Sequence, residues 1–355
     1  MNAPFPASRL HVRLVDPADH VPAIEAFLAD HPEATPFHRP AWLTAVAKGT
    51  GNRAHALIGE RHGAICAYLP LNEVHSPIFG RLLASTGFAV GGGLLLSGCK
   101  AERLLEAAEE LALRLSCPAI ELRGGALPKG REGWRVRTDS HCGFVHPILA
   151  DAEAQLLAIP RKQRAEVRKG LEKDLTIEVG TSERDRAAHY AVYAESVRNL
   201  GTPVFPRSLF DAVLDEFGAD ADILTVWSGG NPVASVLSLY HRGAVMPYWG
   251  GGTRAARSLR ANDRMYFELM RHARARGCTR FDFGRSKTNS GAYHFKRNWG
   301  FEPEPLSYAA WTAPGREARD ADPTSAKHKA QIALWQRLPL SIANRLGPWI
   351  ARGLG

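Results

Sequence analysis

Gly291-Ala-Tyr293-His-Phe-Lys296 sets a phenol and an ammonium three residues apart, on one face of any helix formed there. A lysine so placed stabilises the oxyanion that forms when a nucleophile attacks a carbonyl. A tyrosine beside it relays a proton to the leaving group, so the pair suits acyl transfer. Taken alone, Tyr-x-x-Lys could equally be a surface pair, and the neighbouring residues decide its weight. Just upstream, Phe281-Asp282-Phe283 alternates as a strand does, turning Asp282 away from the two phenylalanines. Gly284 then lets the backbone turn, and Arg285 and Lys287 follow at the strand's C-terminal end, where mixed α/β sheets bind ligands. A second polar stretch, Tyr248-Trp249-Gly-Gly-Gly-Thr-Arg254, leads to Asn262. Lys296, Tyr293 and Asp282 are the candidate catalytic residues; Tyr248, Trp249, Asn262, Arg285 and Lys287 are candidate substrate contacts.

A third cluster lies at Ile159-Pro-Arg-Lys-Gln-Arg-Ala-Glu-Val-Arg-Lys-Gly170, a helix expected to start at Pro160 and stop at Gly170. Arg161, Arg164 and Arg168 recur at helical spacing and share a face. Guanidinium groups grouped this way bind phosphate oxygens bidentately. A solvated helix face is the alternative, and the scarcity of acids at i+4 favours anion binding.

The elements that must position these residues repeat. In the first half a helix over Val21–Asp30 precedes a hairpin, Ala54–Ile58 and Ala64–Leu69, then Gly91-Gly-Gly93, a helix over Ala101–Leu115 and a strand Ala119–Arg123. In the second half a helix over Glu183–Leu200 precedes strands at Ile223–Trp227, Val233–Tyr240 and Ala244–Trp249. Gly250-Gly-Gly252, a helix over Ala261–Arg276 and a strand Thr279–Phe283 complete it. Matching order at so large an offset is a domain built twice, not a solenoid. The expected architecture is α/β (α+β), two tandem domains of mixed sheets flanked by helices. The boundaries are 1–157 for the first domain, 158–178 for the basic inter-domain helix, 179–312 for the second domain and 313–355 for a linker and basic tail.

With 355 residues, 45% hydrophobic and 23% charged, the chain is globular and long enough for two domains. It has no apolar run long enough to span a bilayer, and its N-terminus does not read as a secretory signal. Five scattered cysteines are those of a reduced, cytoplasmic protein. Net charge is −1 over residues 1–157 and +10 over residues 158–355, which points the second half toward an anionic partner. After Asp322 no acid occurs, while Lys327, Lys329, Arg337, Arg345 and Arg352 accompany Trp335 and Trp349. That tail reads either as an interfacial anchor at the inner face of the membrane, cut into short pieces by Pro339 and Pro348, or as packing against the second domain. Hydrolase, phosphate-loop and dinucleotide signatures are absent, and His141, Cys142 and His146 lack a second ligand pair, so no metal is expected.

Taken together, Tyr248-Trp-Gly-Gly, Asn262, Asp282-Phe-Gly and Tyr293…Phe295-Lys296…Trp299-Gly-Phe301, with the basic helix between the two copies, resemble the FemABX-type, GNAT-fold acyltransferases. Ser196-Val-Arg198-Asn-Leu-Gly201-Thr-Pro203, Ser76-Pro-Ile-Phe79-Gly80 and Gly284-Arg-Ser-Lys287 resemble more narrowly the FemAB-family proteins of XrtA/PEP-CTERM exopolysaccharide systems. The resemblance spans roughly residues 10–312. It implies tandem GNAT-like domains that move an aminoacyl or acyl group onto an amine or hydroxyl of a cell-envelope or exopolysaccharide precursor. It adds Phe295, beside Lys296, and Arg198 to the substrate contacts. No tightly bound cofactor is implied; the acyl donor is a co-substrate, aminoacyl-tRNA or acyl-CoA. Where ordinary GNATs cradle the coenzyme A pyrophosphate on a glycine-rich loop, this chain reads Thr253-Arg-Ala-Ala-Arg-Ser-Leu-Arg260, which disfavours acyl-CoA. The helical hairpin of some tRNA-using members is missing too. Expected partners are an anionic or glycan precursor, tRNA as one candidate donor, and a membrane surface at the tail. The rival readings are a non-catalytic protein binding a glycan or lipid-linked precursor, and a nucleic-acid-binding protein suggested by charge alone.

Overall fold

The computed structural model describes residues 10–76, 80–316 and 326–353, the side chains of 326–330 excepted. Pro77, Ile78 and Phe79 of one quoted motif, and most of the expected linker, lie outside the described residues.

In chain order, the first stretch comprises β1 (His11–Val15), α1 (Val21–Asp30), α2 (Pro40–Thr50), β2 (Arg53–Arg61), β3 (Ala64–Ser76) and β4 (Gly80–Ser85). β5 (Leu95–Leu96), α3 (Glu102–Arg114), β6 (Ala119–Arg123) and β7 (Trp134–Gly143) follow. Next come β8 (Val145–Pro147), α4 (Ala152–Ala158), α5 (Arg161–Leu171), β9 (Thr176–Gly180), α6 (Glu183–Leu200) and α7 (Arg207–Phe217). The remaining elements are β10 (Ala221–Ser228), β11 (Asn231–His241), β12 (Ala244–Gly252), α8 (Arg254–Leu259), α9 (Ala261–Ala275), β13 (Arg280–Asp282), β14 (Ser286–Lys287) and α10 (Gly291–Asn298). β15 (Glu304–Thr312), α11 (Ala326–Arg337) and α12 (Leu340–Ala351) close the chain. None of the described helices is long and apolar enough to cross a membrane.

The chain divides into two compact units, and two of the breaks fall inside strands, β7 and β15. One unit holds residues 1–137, 307–320 and 352–355; the other holds 138–306 and 321–351. The boundary expected at residue 157 is thus displaced to the middle of β7. The reason is pairing: β8 joins the second unit's sheet antiparallel to β13, with Phe281 opposite His146. In the reverse sense β15 pairs with β6 in the first unit, Trp311 opposite Ile120. Strand pairing is non-local, and no periodicity within a segment records it. The helix expected to end at Gly170 runs on to Leu171, and the second triple glycine belongs to β12.

In the second unit the sheet order is β8-β13-β12-β11-β10-β9. Alternation along β10 and β11 gives each face its own helices. Leu224, Val226, Val236 and Tyr240 pack with Met265, Leu269, Met270 and Ala273 of α9 and with Val167 of α5. On the opposite face Ser235 and Thr225 meet His189 of α6, and Trp249 meets Phe210 of α7 at 4.7 Å between ring centroids. α6 starts on a Ser182–Asp185 capping box and stops at Gly201, whose φ of +81° ends the helix without strain.

Candidate active site

β12 and β13 run parallel for only two residue pairs, Ala244 with Arg280 and Val245 with Phe281. Beyond them β12 stays with β11 as far as Gly252, while the chain after Asp282 leaves the sheet and pairs, through β14, with His141 and Cys142 of β7. Two neighbouring parallel strands that part company open the sheet at their C-terminal ends, the place where α/β proteins put ligands.

Lys296 sits at this opening. Ser290 caps α10 by accepting a hydrogen bond from the Tyr293 amide at 3.2 Å, and the helix carries Lys296 inward until the residue is only 8% exposed. Its ammonium donates to the carbonyls of Gly284 at 3.1 Å and Arg285 at 3.0 Å. It lies 5.3 Å from the Phe144 ring centroid and 5.6 Å from that of Phe283. Burial drives its pKa down from 10.5 to about 8, with Asp282 opposing and Arg285 adding to the shift. Two acceptors serve three N–H donors, so the group keeps a proton for another oxygen.

Asp282 accepts the Gly284 amide at 2.8 Å. Burial raises its pKa above the ordinary carboxyl value, against the pull of that amide and of Lys296. Gly284 has φ +67°, so the turn that presents its carbonyl to Lys296 suits glycine. Tyr293 packs edge-on against Phe144 at 5.5 Å, which gives the phenol and the ammonium a common neighbour. Phe295 packs in a cluster with Tyr266, Phe283 and Trp299. Phe144 is the residue that sequence reasoning missed: it comes from the β7–β8 turn, far from α10 in the chain.

The remaining candidates divide. Gly252 brings β12 so close to α9 that a Cβ there would lie 2.5 Å from Asn262 Oδ1. That oxygen is buried with no hydrogen-bond partner among the described residues, an acceptor left for something else to satisfy. Trp249 is buried against Phe210 and Phe205, and Tyr248 packs on Trp249 at 4.9 Å, so Trp249 belongs to the core of the α6–α7 face. Arg285 lies beside Lys296, and exposed Lys287 is in β14. On α5, Arg164 donates to the Leu157 carbonyl at 2.6 Å. Arg161 and Arg168 are exposed, and their side chains make no hydrogen bond or ion pair among the described residues. Arg198 donates to the Gln336 carbonyl of α11 at 3.2 Å.

Internal carboxylates gather at the starts of α8 and α9. Asp263 lies in the first turn of α9, its carboxylate accepting from its own amide and from Gln163 of α5 at 2.6 Å. Glu166 of α5 pairs with Arg260 at 2.7 Å, and Gly170 packs on the Arg260 carbonyl. The Arg254 amide, at the start of α8, is taken by Glu195 at 2.9 Å.

In the first unit, β4 and β6 form the equivalent parallel pair, joined through α3. There the space is filled. Arg123, 5% exposed, donates to the carbonyls of Thr86 at 3.0 Å and Ala89 at 2.7 Å, and Leu94 bridges to Gly125 across the gap. Among the described residues, the second copy alone keeps the strands apart beyond their short pairing.

Residues 161–297 match the family model described as Acetyltransferase (GNAT) domain, which takes in α5 through α10. Among solved structures, FemX is similar with a TM-score of 0.64 at 16% identity, over 84% of this chain and 96% of that one. The chain has a tandem GNAT-like fold. A tandem GNAT protein from the clavulanic acid biosynthesis pathway gives a TM-score of 0.56 at 11% identity, over 87% of this chain and 100% of that one. L-PGS from Bacillus licheniformis gives 0.52 at 15%, over 89% and 95%. No curated protein matches by sequence. In GNAT-like terms the matched domain is the second copy, the one whose parallel strands separate beside Lys296.

Proposed function

We propose that the protein transfers an acyl or aminoacyl group onto an amine or hydroxyl of a cell-envelope or exopolysaccharide precursor, at the opening beside Lys296. The observation that carries this reading is a buried ammonium, held by the Gly284 and Arg285 carbonyls between two phenylalanine rings, with one N–H unspent. A dry, fixed positive charge is worth most where negative charge develops.

The acceptor's nucleophile attacks the donor carbonyl carbon, and the electron pair of the C=O moves onto oxygen, where the Lys296 ammonium stabilises it. When the tetrahedral intermediate collapses, the bond to the leaving oxygen breaks. The Tyr293 hydroxyl gives that oxygen its proton and recovers one from the attacking group. Asp282 is a positioning residue: it fixes the Gly284 peptide that holds Lys296, and its charge helps keep the lysine protonated. The carboxylates at the start of α9 favour a donor other than acyl-CoA, which leaves aminoacyl-tRNA as the preferred one, with the unpaired Arg161 and Arg168 available to phosphates. The ordered motifs that resemble FemAB-family proteins of XrtA/PEP-CTERM systems support the acceptor class.

The test is Lys296→Ala assayed with aminoacyl-tRNA and with acyl-CoA as donors against lipid-linked glycan precursors. Loss of about 10²- to 10³-fold in turnover, with acceptor binding kept, is expected for removal of an oxyanion donor. Unchanged turnover refutes the assignment.

A further inference from the structure

α12 is amphipathic in a sense opposite to that of an ordinary surface helix. The residues it turns to the body of the second unit are small: Ala343 and Gly347 are buried, and a Cβ on Gly347 would lie 2.9 Å from the Val204 amide nitrogen. Three of its large apolar side chains point the other way. Ile342, Leu346 and Trp349 recur at spacings of four and three, and are 44%, 44% and 48% exposed. Pro348 does not end the helix, as the sequence led one to expect; α12 runs through it to Ala351, so these three side chains form one unbroken stripe. Exposed Arg345 lies on the same helix, exposed Leu334 and Arg337 lie on α11, and no acid occurs anywhere after Asp322.

We propose that this stripe is a docking face for an anionic lipid bilayer, on which α12 lies in the interface plane. Three features favour lipid over a protein partner. The apolar residues end in a tryptophan, which is at home at the headgroup level. The flanking charge is of one sign, complementary to anionic headgroups. The stripe is narrow, too small for a stable protein interface yet sufficient for reversible surface binding. The inner face of small residues holds α12 tightly against the unit, so docking needs no unfolding of the tail.

The experiment is co-sedimentation of the full chain with vesicles of phosphatidylcholine alone and of phosphatidylcholine with about 30 mol% phosphatidylglycerol. The wild type should pellet with the anionic vesicles at least about tenfold more than with neutral ones, and less at high salt. Leu346→Glu with Trp349→Glu should abolish pelleting while circular dichroism and sedimentation velocity stay unchanged, since both side chains are already exposed. Absence of pelleting with either vesicle overturns the proposal, as does a double variant that still pellets. Self-association removed by the same substitutions, without vesicle binding, overturns it in favour of a contact between copies.

Discussion

Replacing Lys296 by methionine should cost activity while leaving stability almost untouched, because the lysine is held against its own preference. Its ordinary pKa of 10.5 falls to about 8 in the folded chain, so burying the ammonium disfavours folding by about 3 kcal/mol at neutral pH. Its hydrogen bonds to Gly284 and Arg285 return about 1 kcal/mol each. Methionine removes both contributions and keeps the packing against Phe144 and Phe283. Stability of Lys296→Met at pH 7 should therefore lie within about 2 kcal/mol of the wild type, against about 2–5 for truncating a core side chain. The sharper readout is pH. Between about 8 and 10.5 the unfolded lysine is protonated and the folded one is not. The unfolded state then binds more protons, and wild-type stability gains about 3 kcal/mol across that window relative to the variant. Buried thiols such as Cys117, pushed up to about 11, act oppositely but equally in both proteins, so the difference isolates Lys296. Urea unfolding of the two proteins at intervals across this range measures it. Parallel stability curves would mean a hydrated ammonium and would refute a dry oxyanion donor.

Gly252→Ala should destabilise the second unit by about 1–3 kcal/mol, read as a lower Tm, because the new methyl would meet Asn262 Oδ1 and Ala256; an unchanged Tm refutes that close approach. Arg161→Ala with Arg168→Ala should alter stability by less than about 0.5 kcal/mol, since neither side chain has a partner among the described residues. If tRNA is the donor, the pair should also lower the salt dependence of its binding by about two charges, and an unchanged slope removes α5 from that role. His189, buried against Ser235, has its pKa lowered to about 3 by desolvation. The unfolded histidine protonates first, so stability falls as pH drops from about 6.5 toward 3, and His189→Phe should flatten that loss in acid unfolding.

Much of the second unit was legible in the chain. The helix over Glu183–Leu200 agrees with α6 to the residue, because a capping box and a glycine mark its ends. α10 was expected from the spacing of Tyr293 and Lys296 after Gly291, and the structure adds Ser290 as its cap. Arg198 shows where such reading stops: a motif made it a candidate substrate contact, and no motif records its hydrogen bond to the Gln336 carbonyl of α11, remote in sequence. Trp249 likewise stands in a motif but is spent on Phe210 and Phe205.

The two copies, with their helices and hairpins, were readable from the chain alone, and Lys296 stood out there as a candidate, because periodicity, caps and turns act within short windows. The tertiary structure decided which copy is open. Glycine repeats and a strand–helix–strand order occur in both halves, but only folding sends Arg123 into one gap and leaves Lys296 beside the other. It decided, too, that Phe144 completes the ammonium's surroundings and that α5 closes over the start of α9. Those contacts join segments far apart along the chain, and the interactions that fix them, desolvation and hydrogen bonding at short range, exist only once the backbone has brought the segments together.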